Sequence, residues 1–250
     1  MDAAADWLVR RLQSYGGYLR VEKDTWLEPK GQRVDKPSTI SNVYAKIPGS
    51  KYPNHWVVIS GHYDSRVTDV MDSTSNAPGA NDDASGVAAV LECARIMSKY
   101  EFSATIIFVA VSGEEQGLLG ANFMAGKAKD QNWVIEAVLN NDIMGSNNSS
   151  ETNIINNTKV RVFSEGLPAY ELDKNAAGIR SLGLENDGKS RQLARYVKEL
   201  GERYVDNLQV VMVYRNDRFL RGGDHTPFIQ KGFAAVRITE MNENFHHQHQ

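Results

Sequence analysis

The chain has 250 residues, of which 41% are hydrophobic and 24% charged, a composition typical of a globular protein with a substantial core. Its formal net charge of −3 leaves no electrostatic footprint for nucleic acid or for an anionic membrane surface. No apolar run is long enough to span a bilayer, and the single cysteine excludes a disulfide within the chain.

Predicted helices and strands alternate along most of the chain. An amphipathic helix over 6–15 comes first, and the apolar segments after it are rich in β-branched residues, as expected of strands covered on both faces. This alternation predicts an α/β fold: a single domain over residues 1–250, truncated at one or both ends, with a mixed, mainly parallel central β-sheet and helices on both faces. The predicted strands are 40–47, 55–60, 104–111, 134–139, 210–214 and 234–238, and the later helices are 84–99, 115–127 and 190–204.

Acidic residues and histidines cluster directly after the predicted strands. In open α/β sheets ligands bind outside the carboxyl ends of the strands, so side chains at these positions are expected to converge. A further acidic residue, Asp82, precedes a predicted helix, where either it or Asp83 is also placed to cap the helix N-terminus. The residues after the strands are His62, Asp64, Glu114, Glu115, Asp142 and His246.

The combined set of side chains, rather than any one motif, indicates a metal centre. Taken alone, a Glu-Glu pair is more often a solvated helix start, and a histidine near a chain end is more often exposed. Two histidines and three carboxylates together form the nitrogen and oxygen ligand set that zinc accepts, without the cysteines of a structural zinc site. Three carboxylates and a bridging hydroxide balance the charge of two zinc ions. The five predicted ligands are His62, Asp82, Glu115, Asp142 and His246.

Five motifs, in their order along the chain, resemble those of the di-zinc exopeptidase family. That family includes bacterial leucyl aminopeptidases, glutamate carboxypeptidase-like enzymes and glutaminyl cyclases. The resemblance extends from about residue 7 to the end of the sequence, and the ordered set is far more specific than any single motif. The motifs are GHYDS at 61–65, NDDASG at 81–86, EEQGLLG at 114–120, ND at 141–142 and NFH at 244–246.

The resemblance implies how the ligands are shared between two zinc ions. Asp82 would bridge the two ions. His62 and Asp142 would complete one site, and Glu115 and His246 the other. The choice of His246 over the next histidine depends on its place after the Asn-Phe pair, because the four residues that follow, HQHQ, depart from the family's usual Pro or Thr and acidic residue.

The resemblance also implies roles for residues that do not bind metal. Glu114 resembles the general base that takes a proton from the metal-bound water and passes it to the leaving amine. Asp64 resembles the carboxylate that hydrogen-bonds the far ring nitrogen of His62 and fixes its tautomer. Asp224 and His225 match a recurrent family segment near the substrate pocket, although a helix N-cap explains Asp224 equally well.

These roles imply a zinc-dependent exopeptidase that acts on peptide substrates. With two zinc ions per chain, it would hydrolyse N-terminal residues through a metal-bound hydroxide. A glutaminyl cyclase of the same family would instead need one zinc and no attacking water. A carboxypeptidase would need cationic side chains for the terminal carboxylate, for which Arg215, Arg218 and Arg221 are candidates. A non-catalytic binding module is a further alternative, which the intact ligand set disfavours.

Overall fold

Eight strands form one mixed sheet in the computed structural model, which describes residues 2–165, 172–217 and 221–249. Across the sheet the strands are ordered β1-β2-β4-β3-β5-β8-β6-β7. The strands are β1 (Arg20–Glu28), β2 (Ser38–Ile47), β3 (Tyr52–His62), β4 (Ala104–Val111), β5 (Val134–Asn141), β6 (Lys159–Phe163), β7 (Gln209–Val213) and β8 (Ala235–Glu240). The α-helices are α1 (Asp2–Gln13), α2 (Ala84–Met97), α3 (Leu119–Asp130), α4 (Leu172–Leu182), α5 (Lys189–Tyr204) and α6 (His225–Gln230), with short 3₁₀ helices at Leu184–Asp187 and Phe245–His247.

The centre of the sheet is parallel. β3 pairs in parallel with β4 and β5, and β5 pairs in parallel with β8. The antiparallel pairings are those of β1 with β2, β2 with β4, and β6 with β8. The carboxyl ends of β3, β4, β5 and β8 therefore lie at one edge of the sheet, which is where ligands bind in folds of this kind.

The turn between β1 and β2 also lies at this edge. β2 runs antiparallel to β4, and Val43 pairs with Ala110 near the end of β4. The residues of β2 that precede Val43 therefore extend beyond the carboxyl end of β4, and they carry the connecting turn with them. At its tip Gly31 and Val34 exchange backbone hydrogen bonds of 2.9 and 3.4 Å.

Helices cover both faces of the sheet: α1, α2 and α5 pack on one, and α3 and α6 on the other. In α2 the buried residues Val87, Val90 and Ala94 recur every three or four positions, so the segment buries one helical face. β4 is apolar at every position except Thr105, because both of its faces are covered. Phe108 packs under α1 and α2, and Val109 packs under α3.

The predicted fold class is confirmed, with differences at particular elements. The sequence analysis did not predict β1, β6, α4 or α6. The helix predicted from residue 115 begins at Leu119, because Gly113, Gly117 and Leu118 have positive φ angles of 75°, 118° and 61° and form a turn before it. None of the described helices is long and apolar enough to cross a membrane.

Candidate metal centre

The ends of β3, β4 and β5 bring a histidine and two carboxylates into one buried group. His62 is the last residue of β3, Glu115 follows β4, and Asp142 follows β5. Their exposed fractions are only 1%, 6% and 2%. Burying several ionisable groups together is costly unless they are paired or bind a metal, so the partners of this group decide what it can do.

Asp82 faces two imidazole rings at once. Its Oδ1 lies 3.2 Å from His62 Nε2, and its Oδ2 lies 3.3 Å from His249 Nε2. Burial raises the pKa of Asp82, but the hydrogen bonds to the two rings outweigh burial and hold the pKa well below its usual range. The carboxylate thus presents one oxygen to each histidine, which is the arrangement that a bridge between two cations requires.

The cluster contains two groups of possible ligand atoms, and Asp82 belongs to the second of them. In the second group His249 Nε2 lies 3.1 Å from Glu115 Oε1, a buried oxygen that accepts no well-aligned hydrogen bond from the described residues. The ligand atoms within each group lie within 4.8 Å of one another. The first group is His62, Asp83 and Asp142, and the second is Asp82, Glu115 and His249.

The structure brings His249, and not His246, to the centre. The ring of His246 is exposed, and its backbone N–H donates to Asn244 Oδ1 at 3.1 Å at the start of the short 3₁₀ helix. His249 follows that helix, lies in the left-handed region with φ 53°, and has its ring in the second group. The placement predicted for His246 is therefore corrected: the terminal histidine that meets the carboxylates is three residues further along the chain.

Asp83 belongs to the first group by distance, but its carboxylate is already engaged by backbone. Oδ1 accepts from Gly86 N at 2.9 Å and from Ile143 N at 3.0 Å, and Oδ2 accepts from His62 N at 3.1 Å. The bond from Gly86 makes Asp83 the N-cap of α2. Asp83 therefore joins the start of α2 to β3 and to the loop after β5, and leaves Asp82 as the carboxylate directed at both imidazoles.

Asp64 holds the loops in place in a way that differs from its predicted contact. His62 Nδ1 lies 3.0 Å from the backbone oxygen of Asp64, whereas the carboxylate Oδ1 is 3.7 Å away. The ring is therefore oriented by a carbonyl rather than by the carboxylate, a second partner type that fixes a histidine tautomer equally well. The carboxylate accepts three backbone N–H groups instead, from Gly113, Glu114 and Glu115, at 2.8, 3.2 and 3.1 Å.

Glu114 lines the cavity over the cluster and has an altered acidity. Burial, with the neighbouring charges of Asp142 and Glu115, raises the pKa of Glu114 to about 8, against the opposing effect of His62. A carboxyl group whose pKa lies near neutrality can accept a proton and release it again, as a general base must do. The positive charge of a bound metal acts in the opposite direction and favours the carboxylate form.

Two arginines that the sequence analysis missed are paired with carboxylates of the cluster. Arg237 Nη2 lies 2.8 Å from Asp142 Oδ1, and Arg66 Nε donates to Glu115 Oε2 at 2.7 Å. Arg237 is 3% exposed. The available signal was its position inside the apolar strand β8, where a charged side chain needs a buried partner. For Arg66 no signal beyond its place after the GHYDS motif was present.

Asp224 and His225 lie beside the centre, and the N-cap explanation for Asp224 is not supported. Asp224 precedes α6 but makes no side-chain capping bond. It is 1% exposed, and neither carboxylate oxygen has a hydrogen-bond partner among the described residues. Burial and the charge of Glu114 raise the pKa of Asp224 well above its usual range. His225 is fully buried, with Nε2 2.7 Å from the carbonyl oxygen of Asn216.

A cavity of about 430 Å³ opens over the cluster. His62, Asp82, Glu115, Asp142 and His249 all line it, as does Glu114. A space of this size accommodates a short peptide end, and it falls within the range of small-molecule sites in proteins. The candidate metal ligands and Glu114 therefore face a common space that is open to solvent.

The residues present fit two divalent cations. Each group offers one imidazole and two carboxylates, a nitrogen and oxygen donor set suited to zinc. Burial lowers the pKa of His62, but the hydrogen bond with Asp82 and the surrounding carboxylates outweigh burial and raise it well above its usual value. A cation at this site would therefore displace a proton from the ring, because only neutral imidazole binds metal.

Comparison with known proteins identifies the family. Residues 42–250 match peptidase family M28, and the chain belongs to that family. It is 47% identical over 252 residues to a probable zinc metalloprotease of Leptosphaeria maculans, covering 99% of this chain and 58% of that protein. It is also 47% identical to a probable zinc metalloprotease of Pyricularia oryzae, covering 99% of this chain and 50% of that one. The chain thus spans between half and three fifths of the length of these relatives.

Solved structures share the fold at lower sequence identity. The LapA aminopeptidase of Legionella pneumophila superposes with a TM-score of 0.62 at 21% identity, covering 95% of this chain and 54% of that one. A glutaminyl cyclase of Porphyromonas gingivalis gives the same TM-score at 19% identity, covering 97% and 76%. Because a hydrolase and a cyclase share the fold, the fold by itself does not choose between their reactions.

Proposed function

We propose that this chain is the catalytic part of a zinc aminopeptidase that binds two metal ions and removes N-terminal residues from peptides. The observation that carries the proposal is the position of Asp82, whose two carboxylate oxygens lie 3.2 and 3.3 Å from two different histidine nitrogens. A carboxylate between two imidazoles has the arrangement of a bridging ligand in a two-metal hydrolytic centre, with one histidine available for each ion.

The proposed ligands follow from the two groups around Asp82. His62 and Asp142 complete one site, and Glu115 and His249 complete the other, with Asp82 shared. Zinc bound there would polarise the scissile carbonyl and make a water molecule more acidic, which is the chemistry that paired metals supply.

Glu114 is the proposed general base. It lines the cavity and lies in the loop that follows β4, so its carboxylate is available to the space in which the scissile bond would lie. It accepts a proton from the attacking water and delivers that proton to the amine that leaves. Asp64 positions Glu114 through the backbone, by accepting its N–H at 3.2 Å.

An N-terminal amine is the proposed determinant of which peptide end is cut. The cavity wall carries carboxylates, of which Glu114 is one. A substrate ammonium held by such groups forms charge-assisted hydrogen bonds, which are about twice as strong as neutral ones. Acetylation would remove the charge and add bulk next to the reacting carbonyl.

The test uses one free peptide and its N-acetylated copy with zinc-loaded protein. We expect about two zinc ions per chain by elemental analysis, stepwise release of N-terminal residues from the free peptide, and no cleavage of the acetylated one. A chelator should abolish the activity, and added zinc should restore it.

Mass spectrometry of the same reactions separates the alternatives. Trimming of both peptides from the C-terminus would replace the aminopeptidase proposal with a carboxypeptidase. Loss of ammonia from a peptide that begins with glutamine, with no amino acid released, would indicate the cyclase, as would a single bound zinc. Tight peptide binding with no product would indicate a binding module.

A further inference from the structure

The cavity over the metal centre is lined by more arginines than are paired with the carboxylates of the centre. Its lining includes four carboxylates, Asp82, Glu114, Glu115 and Asp142, and four arginines, Arg33, Arg66, Arg221 and Arg237. Arg66 and Arg237 are paired with Glu115 and Asp142. Among the described residues, Arg33 and Arg221 pair with no carboxylate, and both are exposed.

Arg33 is delivered to the cavity by the turn between β1 and β2. It occupies the tip of that turn, next to Val34, whose backbone exchanges hydrogen bonds of 2.9 and 3.4 Å with Gly31. The turn extends beyond the carboxyl end of β4, at the edge of the sheet where the metal centre lies. A short tip closed by reciprocal backbone bonds has few backbone conformations, so the backbone that carries Arg33 is held at this edge of the sheet.

Arg221 is delivered from a different part of the chain, ahead of α6. The next residue, Gly222, accepts a hydrogen bond of 3.0 Å at its carbonyl from buried Arg237, which also pairs with Asp142. Gly223 donates its N–H to Thr226 Oγ1 at 3.4 Å. The backbone that carries Arg221 is therefore tied to a proposed metal ligand, and the position of Arg221 follows that of the centre.

The charge balance of the loaded site makes these two arginines available for substrate. Two zinc ions bring four positive charges, which Asp82, Glu115, Asp142 and a bridging hydroxide would neutralise. Of the carboxylates that line the cavity, Glu114 then keeps its charge, and this single charge cannot neutralise both Arg33 and Arg221. A clear surplus of positive charge remains at the outer end of the cavity, where a negatively charged substrate group would be attracted.

We propose that Arg33 and Arg221 form a subsite for a carboxylate of the substrate, so that this enzyme prefers peptides carrying a carboxylate close to the scissile bond. The inference rests on the proposed peptidase function and adds a substrate class to it. The carboxylate is either an acidic side chain of the N-terminal residue or the terminal carboxylate of a dipeptide. Guanidinium groups bind both through paired N–H···O bonds.

The experiment compares matched substrates with zinc-loaded protein. Asp-Ala-amide against Asn-Ala-amide isolates a side-chain carboxylate, because the two differ in that charge and hardly in size. Ala-Ala against Ala-Ala-amide isolates a terminal carboxylate. Two readouts are taken: kcat/KM for hydrolysis, and the dissociation constant measured by calorimetry with the zinc-loaded Glu114→Gln protein, which binds without turning over.

The variants are Arg33→Gln with Arg221→Gln, and Arg33→Lys with Arg221→Lys, each as a double substitution. Arg203→Gln is the matched control, because Arg203 is an exposed arginine on α5 paired with Glu199 at 2.8 Å. We expect the carboxylate-bearing member of at least one substrate pair to be preferred about fivefold or more, and the Gln variant to lose that preference while its activity on the neutral member stays within about twofold. The preference should also weaken as salt rises, and the Lys variant should keep part of it.

Several results would overturn the inference. Equal kcat/KM and equal dissociation constants within both pairs would show that no carboxylate subsite exists, while activity on the neutral substrates left the peptidase proposal standing. Equal losses on charged and neutral members in the Gln variant would show that the arginines act structurally. If no substrate is hydrolysed, the peptidase proposal fails, and the calorimetric comparison alone then shows whether the arginines select a carboxylate.

Discussion

Asp64 accepts a hydrogen bond of 3.1 Å from the backbone N–H of Glu115, so the loop after β3 fixes the loop after β4. Its other oxygen accepts from Gly113 at 2.8 Å and from Glu114 at 3.2 Å. Three consecutive N–H groups thus converge on one buried carboxylate. These three hydrogen bonds to Asp64 hold the loop that carries the proposed base and a proposed ligand, although this loop is not helical.

Asp64→Asn tests this anchor. The amide group of asparagine would direct its own N–H bonds at backbone N–H donors, leaving at least one of them unpaired. We expect the free energy of unfolding to fall by about 1–3 kcal/mol and kcat to fall with it, because both glutamates shift. Urea denaturation and steady-state kinetics measure the two effects.

The control is Asp69→Asn, which removes a similar charge from an exposed aspartate that accepts one backbone bond, from Met71 at 2.9 Å. That change should alter stability by less than about 0.5 kcal/mol. Equal effects of the two substitutions on the free energy of unfolding would show that the three hydrogen bonds to Asp64 do not stabilise the fold more than the single bond to Asp69.

The fold was predictable from the sequence because the central strands carry uninterrupted apolar runs. β4 reads ATIIFVAV, and α2 repeats apolar residues on one face, so pattern alone indicates which segments are buried. β1 was not predictable in the same way, because it is an edge strand of mostly charged and polar residues, RVEKDTWLE. Its place in the sheet comes from pairing with β2, which local pattern does not reveal.

Most residues of the candidate site were predictable from the sequence, but the final histidine and the arginine partners depend on long-range geometry. His62, Asp82, Glu115 and Asp142 follow strand ends or precede a helix, so topology alone brings them together. The final histidine is different, because three histidines fall within residues 246–249 and a single short helix decides which ring turns inward. The arginine–carboxylate pairs join residues as far apart in the sequence as Asp142 and Arg237, and no local sequence pattern predicts such a pair.

Glu114 and Glu115 are adjacent but should respond differently to the same substitution. Glu114→Gln should keep about two zinc ions and lose roughly 10²–10⁴-fold in kcat, because the general base is removed and the ligands remain. Glu115→Gln should lose zinc, since its Oε1 is the buried oxygen beside His249. Elemental analysis and peptide hydrolysis on both proteins separate the roles.

Glu199→Gln serves as the control for both glutamate variants, because Glu199 is exposed on α5 and pairs with Arg203. It should leave zinc content and activity unchanged. The assignment would be reversed by zinc loss in the Glu114 variant together with zinc retention in the Glu115 variant.

The three C-terminal histidines provide a second metal test. We expect His249→Ala to lower the zinc content to about one ion per chain, because only this ring lies against Asp82 and Glu115 among the three. His246→Ala and His247→Ala, at exposed positions, should keep both ions. Zinc titration of the three proteins at equal concentration measures the difference. Loss of one zinc from either of the other two variants, with His249→Ala unaffected, would move the ligand to that position.

Gly86 packs so closely that no side chain fits there. A Cβ at this position would lie 2.3 Å from the backbone oxygen of Asn141 and 2.5 Å from both carboxylate oxygens of Asp83. Gly86→Ala should therefore destabilise the protein by about 1–3 kcal/mol or more and disturb the cap of α2. Gly126→Ala in α3, where nothing lies within 4 Å of an added Cβ, should be neutral or stabilising by up to about 1 kcal/mol. Thermal unfolding that ranked the two variants in the opposite order would contradict the packing described here.

His225 makes the stability of the fold depend on pH in the acidic range. Burial, with the positive charge of Arg237, lowers the pKa of His225 to about 3, so the ring is neutral in the folded protein. In the unfolded chain the pKa of this histidine returns to about 6.5. Between these values the unfolded chain binds a proton that the folded protein does not, so the stabilising contribution is complete above pH 6.5 and is lost as the pH falls toward 3.

His225→Gln tests this pH dependence. The substitution removes the titrating ring and leaves an amide N–H that can donate to the carbonyl of Asn216. Urea denaturation from pH 6 to pH 4 should show the native protein losing about 1.4 kcal/mol more per pH unit than the variant, and parallel curves for the two proteins would show that His225 is protonated in the folded state after all.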